Sequence, residues 1–281
     1  SIVPTGTQAR EPLVPYVDRS RYPTKLFNEL VIQHTSFYTT SFLRDGRFMQ
    51  REDRPIHFST ELIHVPHAYS VPALQRLYFE LSQTKAAYES TDFSQPGPPR
   101  FYSKRGARTQ SIALFLPDRV VLIEEWVDIA LSDFLEKIRT ITLRLPGAAG
   151  VQGFIAHTAT IRTTFALTHY PDARVFLMDH ACNQAGRISP HFGRPVSIGG
   201  LRFVLPETSE HKGTLTVVIE SYRESLQEVY VEVKGVYGQD PFSCDAPEAA
   251  CANIRSLCSF IGDNVYSYLS QYDAPQETHT P

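Results

Sequence analysis

The chain has 281 residues, with 27 lysines and arginines against 30 aspartates and glutamates, 42% hydrophobic residues, and 20 prolines to 15 glycines. This is the composition of a folded globular protein and excludes a disordered chain, collagen and a coiled coil. No run approaches the roughly 18 uninterrupted apolar residues of a membrane span, and residues 1–16 lack the basic-then-apolar layout of a secretory leader, so a cytoplasmic protein with no membrane partner is expected.

Pro4, Pro12, Pro15 and Pro23 make residues 1–23 a proline-rich arm in which regular helix is forbidden. An N-terminal unit is expected over 24–150. Residues 29–43 (ELVIQHTSFYTTSFL) are rich in β-branched and aromatic side chains and run into Asp45 and Gly46, a hairpin turn. A strand follows over 56–65, then a helix over 71–81, where Leu74, Leu77, Tyr78 and Leu81 recur at helical spacing behind Pro72. The prolines and glycines of 90–106 predict a loop. The apolar runs 111–116 and 120–126, joined by Pro117 and Asp118, predict a hairpin. Ser132 and Asp133 should cap a helix carrying Phe134, Ile138, Ile141 and Leu145, stopped by Pro146 and Gly147.

A C-terminal unit is expected over 151–272, with a tail over 273–281. It begins with a strand over 159–168, a short helix over 173–182 capped by Asp172, an irregular stretch over 187–200 and a strand over 201–205. The hairpin 214–222/228–237 places Val229, Val231 and Val233 on one face and Tyr230, Glu232 and Lys234 on the other. The final helix, 248–271, carries a stripe of Cys251, Ile254, Cys258, Ile261, Val265 and Tyr268. Both halves thus follow one order of strand, helix, antiparallel strands and long helix. Strands grouped in runs predict an α+β protein of two tandem units, antiparallel sheets with helices on one face. The two sheets either join into one saddle, as in the TATA-binding protein, or pack separately.

Residues 1–150 carry 18 basic and 16 acidic side chains, and 151–281 carry 9 and 14, neither balance being that of a nucleic-acid-binding domain. Cys182, Cys244, Cys251 and Cys258 are too few for a disulfide framework and are expected as reduced thiols. No phosphate loop, dinucleotide fingerprint, nucleophile elbow, Cys-x-x-Cys or His-Glu-x-x-His occurs, so no cofactor is expected. The nearest approach to a metal set is His64 and His67 with Asp179, His180 and Cys182, which have zinc-ligand chemistry but need the fold to bring them together. Glu124, Glu125 and Asp128 form the densest acidic cluster. Alternation on a strand sends Glu124 and Glu125 to opposite faces, one of them toward the core or a cleft, and an edge-strand charge opposing aggregation is the expected role.

The segment Arg100–Arg108 (RFYSKRGAR) interleaves Arg100, Lys104, Arg105 and Arg108 with Phe101 and Tyr102. Such a set suits either an acidic protein surface or phosphate contact with base stacking. Gly200, Leu201, Arg202, Phe203 and Val204 after a mid-chain helix, then a hairpin and a long last helix after Asp240, resemble a sporadically distributed, uncharacterised family of bacterial proteins. The resemblance covers residues 110–270. It implies a bacterial cytosolic origin and an α+β repeat, and brings no established activity or catalytic residues. The expected function is a non-enzymatic binding or assembly subunit acting through protein contacts or self-association. The alternatives are a nucleic-acid-binding protein using the Arg100–Arg108 segment, and an enzyme with a dispersed site.

Overall fold

The computed structural model describes residues 50–51, 55–94, 96–127, 129–184 and 192–275. The arm, the hairpin over 29–46, Asp128 and residues 276–281 lie outside them. The strands are β1 (Gln50–Arg51), β2 (His57–Ile63), β3 (Ser90–Asp92), β4 (Arg100–Lys104), β5 (Gln110–Leu116), β6 (Arg119–Glu125), β7 (Gly153–Phe154), β8 (Ala156–Ala166), β9 (Gly200–Leu205), β10 (Thr214–Ser221), β11 (Glu228–Tyr237) and β12 (Phe242–Ser243). The helices are α1 (Val71–Ser82), α2 (Leu131–Ala149), α3 (Ala173–Val175), α4 (Glu248–Phe260) and α5 (Ser267–Ser270). Wider π turns prolong α3 over Phe176–Ala181 and join α4 to α5 over Ile261–Tyr266.

One antiparallel sheet runs in the order β3-β4-β5-β6-β2-β8-β11-β10-β9, and β1 pairs with β8 beside the start of β2. The two central strands, β2 and β8, are joined from Phe58 opposite Ile161 to Ile63 opposite Ala156. Each half's first strand also pairs with the last of its own antiparallel set, β2 with β6 and β8 with β11. The sheets of the two halves are therefore continuous, and the described residues share a single hydrophobic core.

Register explains which side is buried. Phe58, Thr60 and Leu62 stand in line with Glu124, Leu122 and Val120 on one side, and with Ile161, Ala159 and His157 on the other. Val229, Val231 and Val233 continue the row into β11. This face carries the apolar sides of α1, α2 and α4, represented by Leu74, Leu77, Leu81, Phe134, Ile138, Ile141, Ile254 and Leu257. The opposite face holds half-exposed Ser59, Glu61, Arg162, Tyr230, Glu232 and Lys234, with Arg162 donating to Glu232 at 2.7 Å.

Four local expectations change. The 90–106 loop contains β3 and β4, because Phe101 alternates into the core while Tyr102 faces out, and the prolines occupy only the connection between the strands. Helix α2 starts at Leu131 without a side-chain cap and continues through Pro146. Proline removes one helical donor, but burial of Leu145, Ala148 and Ala149 holds the last turn, which ends at Gly150 with φ of 79° and its N–H on the Pro146 carbonyl. Strand β6 is internal, so Glu124 is not an edge charge. In the last helix Leu257 and Leu269 replace Cys258 and Tyr268 in the buried stripe. The steps of four from Leu257 through Ile261 and Val265 to Leu269 outrun a 3.6-residue period, and the π turn absorbs the surplus. Asp273, the first residue of the tail expected over 273–281, is buried and accepts from the Thr168 and His169 N–H groups at 2.8 and 2.9 Å.

His157 is fully buried under α4, stacked on Tyr237, and its Nε2 accepts from the Asn253 amide at 3.2 Å. That leaves the proton on Nδ1, which has no partner among the described residues. Burial therefore favours the neutral ring and lowers its pKa to about 4. Because the folded value lies below the unfolded one of about 6.5, stability is complete above that pH and is lost as pH falls toward 4, by about 3 kcal/mol in all. Chemical denaturation across this range should show the loss in wild type and a flatter profile in His157→Gln.

Candidate functional site

The Arg100–Arg108 segment forms β4 and the turn after it, and its side chains separate. Phe101 is completely buried between Tyr78, Tyr88, Phe93 and Phe115, so it offers no stacking surface. Arg100 is tied to Asp92 at 2.6 Å and lies over the Tyr102 ring. Arg108 bonds Glu224 at 2.5 Å, joining the two halves, and covers Trp126. Lys104 is exposed, and Arg105 makes a long 3.5 Å contact with Glu89. Most of the positive charge is thus matched locally.

The metal candidates do not converge. His64 accepts from the Tyr69 hydroxyl at Nε2 at 2.6 Å and donates from Nδ1 to the Val65 carbonyl at 2.8 Å, leaving no nitrogen for a metal. His67 packs on Tyr69, whereas Asp179 and His180 lie in the π turn after α3 with His180 against Tyr170. Cys182 follows that turn as a half-buried thiol. Among the described residues no three His, Cys, Asp or Glu side chains form a metal-binding group.

Two other features stand out. The first is β9, the outer strand at one end of the sheet. Gly200 lets it start there, since a Cβ would lie 2.2 Å from the Ile219 carbonyl oxygen. Beyond it Phe203, Val204 and Leu205 are 39%, 59% and 39% exposed, and Arg202 is the strand's one charge. At the opposite edge β3 has three residues and ends on Asp92, the short, charged form that discourages pairing. A longer apolar edge leaves its outer N–H and C=O groups available to another strand.

The second feature is a cluster under α2. Alternation sends Ser111 of β5 and Glu124 of β6 to the helix side, where Lys137 of α2 meets them. Lys137 Nζ lies 2.5 Å from Glu124 Oε1 and 2.8 Å from Ser111 Oγ, Ser111 donates to the same carboxylate oxygen at 2.8 Å, and the ammonium sits 4.7 Å from the Tyr88 ring centre. Glu124 is 2% and Lys137 7% exposed. Burial raises the Glu124 pKa against the opposing pull of Lys137, and burial with the nearby Glu124 charge pushes the Tyr88 hydroxyl well up. Among the described residues Glu124 Oε2 has no hydrogen-bond partner. A cavity of about 340 Å³ opens over Ser111, Glu124 and Lys137.

Tyr88, Ser111 and Lys137 were not among the expected site residues. The signal was nevertheless present, because Lys137 sits among Phe134, Ile138 and Ile141 on the apolar side of its helix, and Glu124 continues the phase of Val120 and Leu122. No protein-family model matches the chain, and no curated protein matches it.

Proposed function

We propose that the chain is an assembly subunit that works through protein contacts, with β9 as the contact and a second copy as the partner. The observation that carries this reading is the apolar, exposed edge of β9 opposite a short, charged edge. An antiparallel pairing of β9 with its own copy, centred on Phe203, sets Phe203 against Phe203 and Leu201 against Leu205 on the helix side. Arg202 then faces Val204 on the other side, so no like charges oppose. Two-fold pairing of this kind is self-complementary and extends the sheet across both subunits. Nucleic-acid binding through Arg100–Arg108 gains less support, because Phe101 is buried and Arg100 and Arg108 are paired with acids.

The matching order of elements over 57–149 and 156–270, with each half's first strand at the centre, supports a tandem repeat sharing a saddle-like sheet as in the TATA-binding protein. A bacterial cytosolic origin accords with the resemblance of residues 110–270.

Light scattering at micromolar protein should give a dimer for wild type and a monomer for the Phe203→Lys, Val204→Lys double variant, with circular dichroism unchanged. A monomeric wild type, or a double variant that remains dimeric, rejects the reading.

A further inference from the structure

The cavity over Ser111 and Glu124 is separate from the β9 edge in the fold and makes a different demand. Its lining divides by element. Glu124 on β6 and Asp133 and Glu136 on α2 supply carboxylates, whereas Lys85 after α1 and Arg105 after β4 supply cations. The two basic segments are held together, since the Glu89 N–H donates to Ser103 Oγ at 3.0 Å and Arg105 reaches Glu89. At the floor, Glu124 Oε1 already takes both Lys137 and Ser111, so the remaining demand falls on Oε2. An enclosed carboxylate oxygen without a donor is costly in a folded protein and is a position a ligand can satisfy.

From this geometry we propose that the cavity binds a small zwitterion, an α-amino acid or a molecule with the same paired ammonium and carboxylate. The ammonium lies on the carboxylate side, among Glu124, Asp133 and Glu136, and takes up the enclosed Glu124 Oε2 by a turn of that carboxylate toward the cavity. The carboxylate is held at the mouth by Arg105 and Lys85, where a guanidinium can form a bidentate contact. Lys137 does not compete for the carboxylate, because its ammonium is committed to Glu124, Ser111 and the Tyr88 ring. A ligand with only one charge would leave one wall unmatched, and electrostatic matching of both walls supplies the selectivity. A volume of about 340 Å³ is at the lower end of small-molecule sites and suits a ligand of this size.

The test uses the full chain and the free proteinogenic α-amino acids as probes, first by thermal shift and then by titration calorimetry. At least one should raise Tm and bind saturably, while its N-acetyl and methyl ester forms, each lacking one charge, should not. The Lys85→Ala, Arg105→Ala double variant should weaken binding by about tenfold or more, the scale of a lost charge-assisted contact. Both positions are exposed, so the variant keeps the fold. Glu124→Gln should abolish binding. The proposal is overturned if no amino acid shifts Tm, if the acetylated or esterified forms bind equally well, or if the double variant binds as wild type does.

Discussion

Replacing Lys137 with Ala is expected to cost about 3–5 kcal/mol of stability, because it leaves the Glu124 carboxylate buried with Ser111 as its one remaining hydrogen-bond partner among the described residues. The loss reflects the stranded charge more than the strength of the ion pair. A buried pair replaced as a unit by apolar residues is often neutral or better, so Lys137→Met combined with Glu124→Leu should recover most of the deficit. The Lys137→Ala deficit should also shrink as pH falls from neutral toward about 4, since burial already raises the Glu124 pKa and removal of the ammonium raises it further. Denaturant titrations of the single and double variants at two pH values measure all three quantities. An Ala variant as stable as wild type would show that the pair is hydrated rather than buried.

The second large effect is expected at Ile254→Asp. Ile254 is buried on α4 against the sheet, next to Cys251 and Leu257 in the stripe. An unpaired carboxylate there costs several kcal/mol, against a total stability of about 5–15 kcal/mol for a domain. Because β2 and β8 pair along their lengths and the core is continuous, the loss should extend beyond the C-terminal half. Ile261→Asp, on the π turn below, should behave the same way. Thermal unfolding followed by signals from both halves should give one shared, lowered transition for each variant. An unaltered Tm would mean that this side of the helix does not bury its stripe.

The elements most legible in the amino-acid order are those whose side chains repeat with a clean period. Leu74, Leu77 and Leu81 mark α1 at steps of three and four, and Val229, Val231 and Val233 mark one side of β11 at steps of two. The turn at Pro117 and Asp118 is equally local, since two residues with restricted backbones suffice to reverse the chain. The passage of α2 through Pro146 and the recruitment of β4 out of a proline-rich stretch are different in kind. Proline lowers local preference in both places, and burial of Ala148, Ala149 and Phe101 by distant parts of the chain outweighs it.

The candidate sites divide along the same line. Chemistry alone grouped His64 and His67 with Asp179, His180 and Cys182, but the hydrogen bonds of His64 to Tyr69 and Val65 depend on how the chain turns after β2. Local density grouped Arg100, Lys104, Arg105 and Arg108, and tertiary contacts with Asp92, Glu89 and Glu224 divide them. What the sequence by itself determined is the α+β class, the hairpins over 111–126 and 214–237 and the buried sides of α1 and β11, because these follow from periodicities of 2 and 3.6 within short windows. Only the tertiary structure decided that β2 and β8 fuse the two halves into one sheet, that β9 is its outer strand among the described residues, and that Tyr88, Ser111, Glu124 and Lys137 meet. Strand order and the packing of α2 on β5 and β6 are set by contacts between residues far apart in the chain, and a local pattern carries no record of its partner's position.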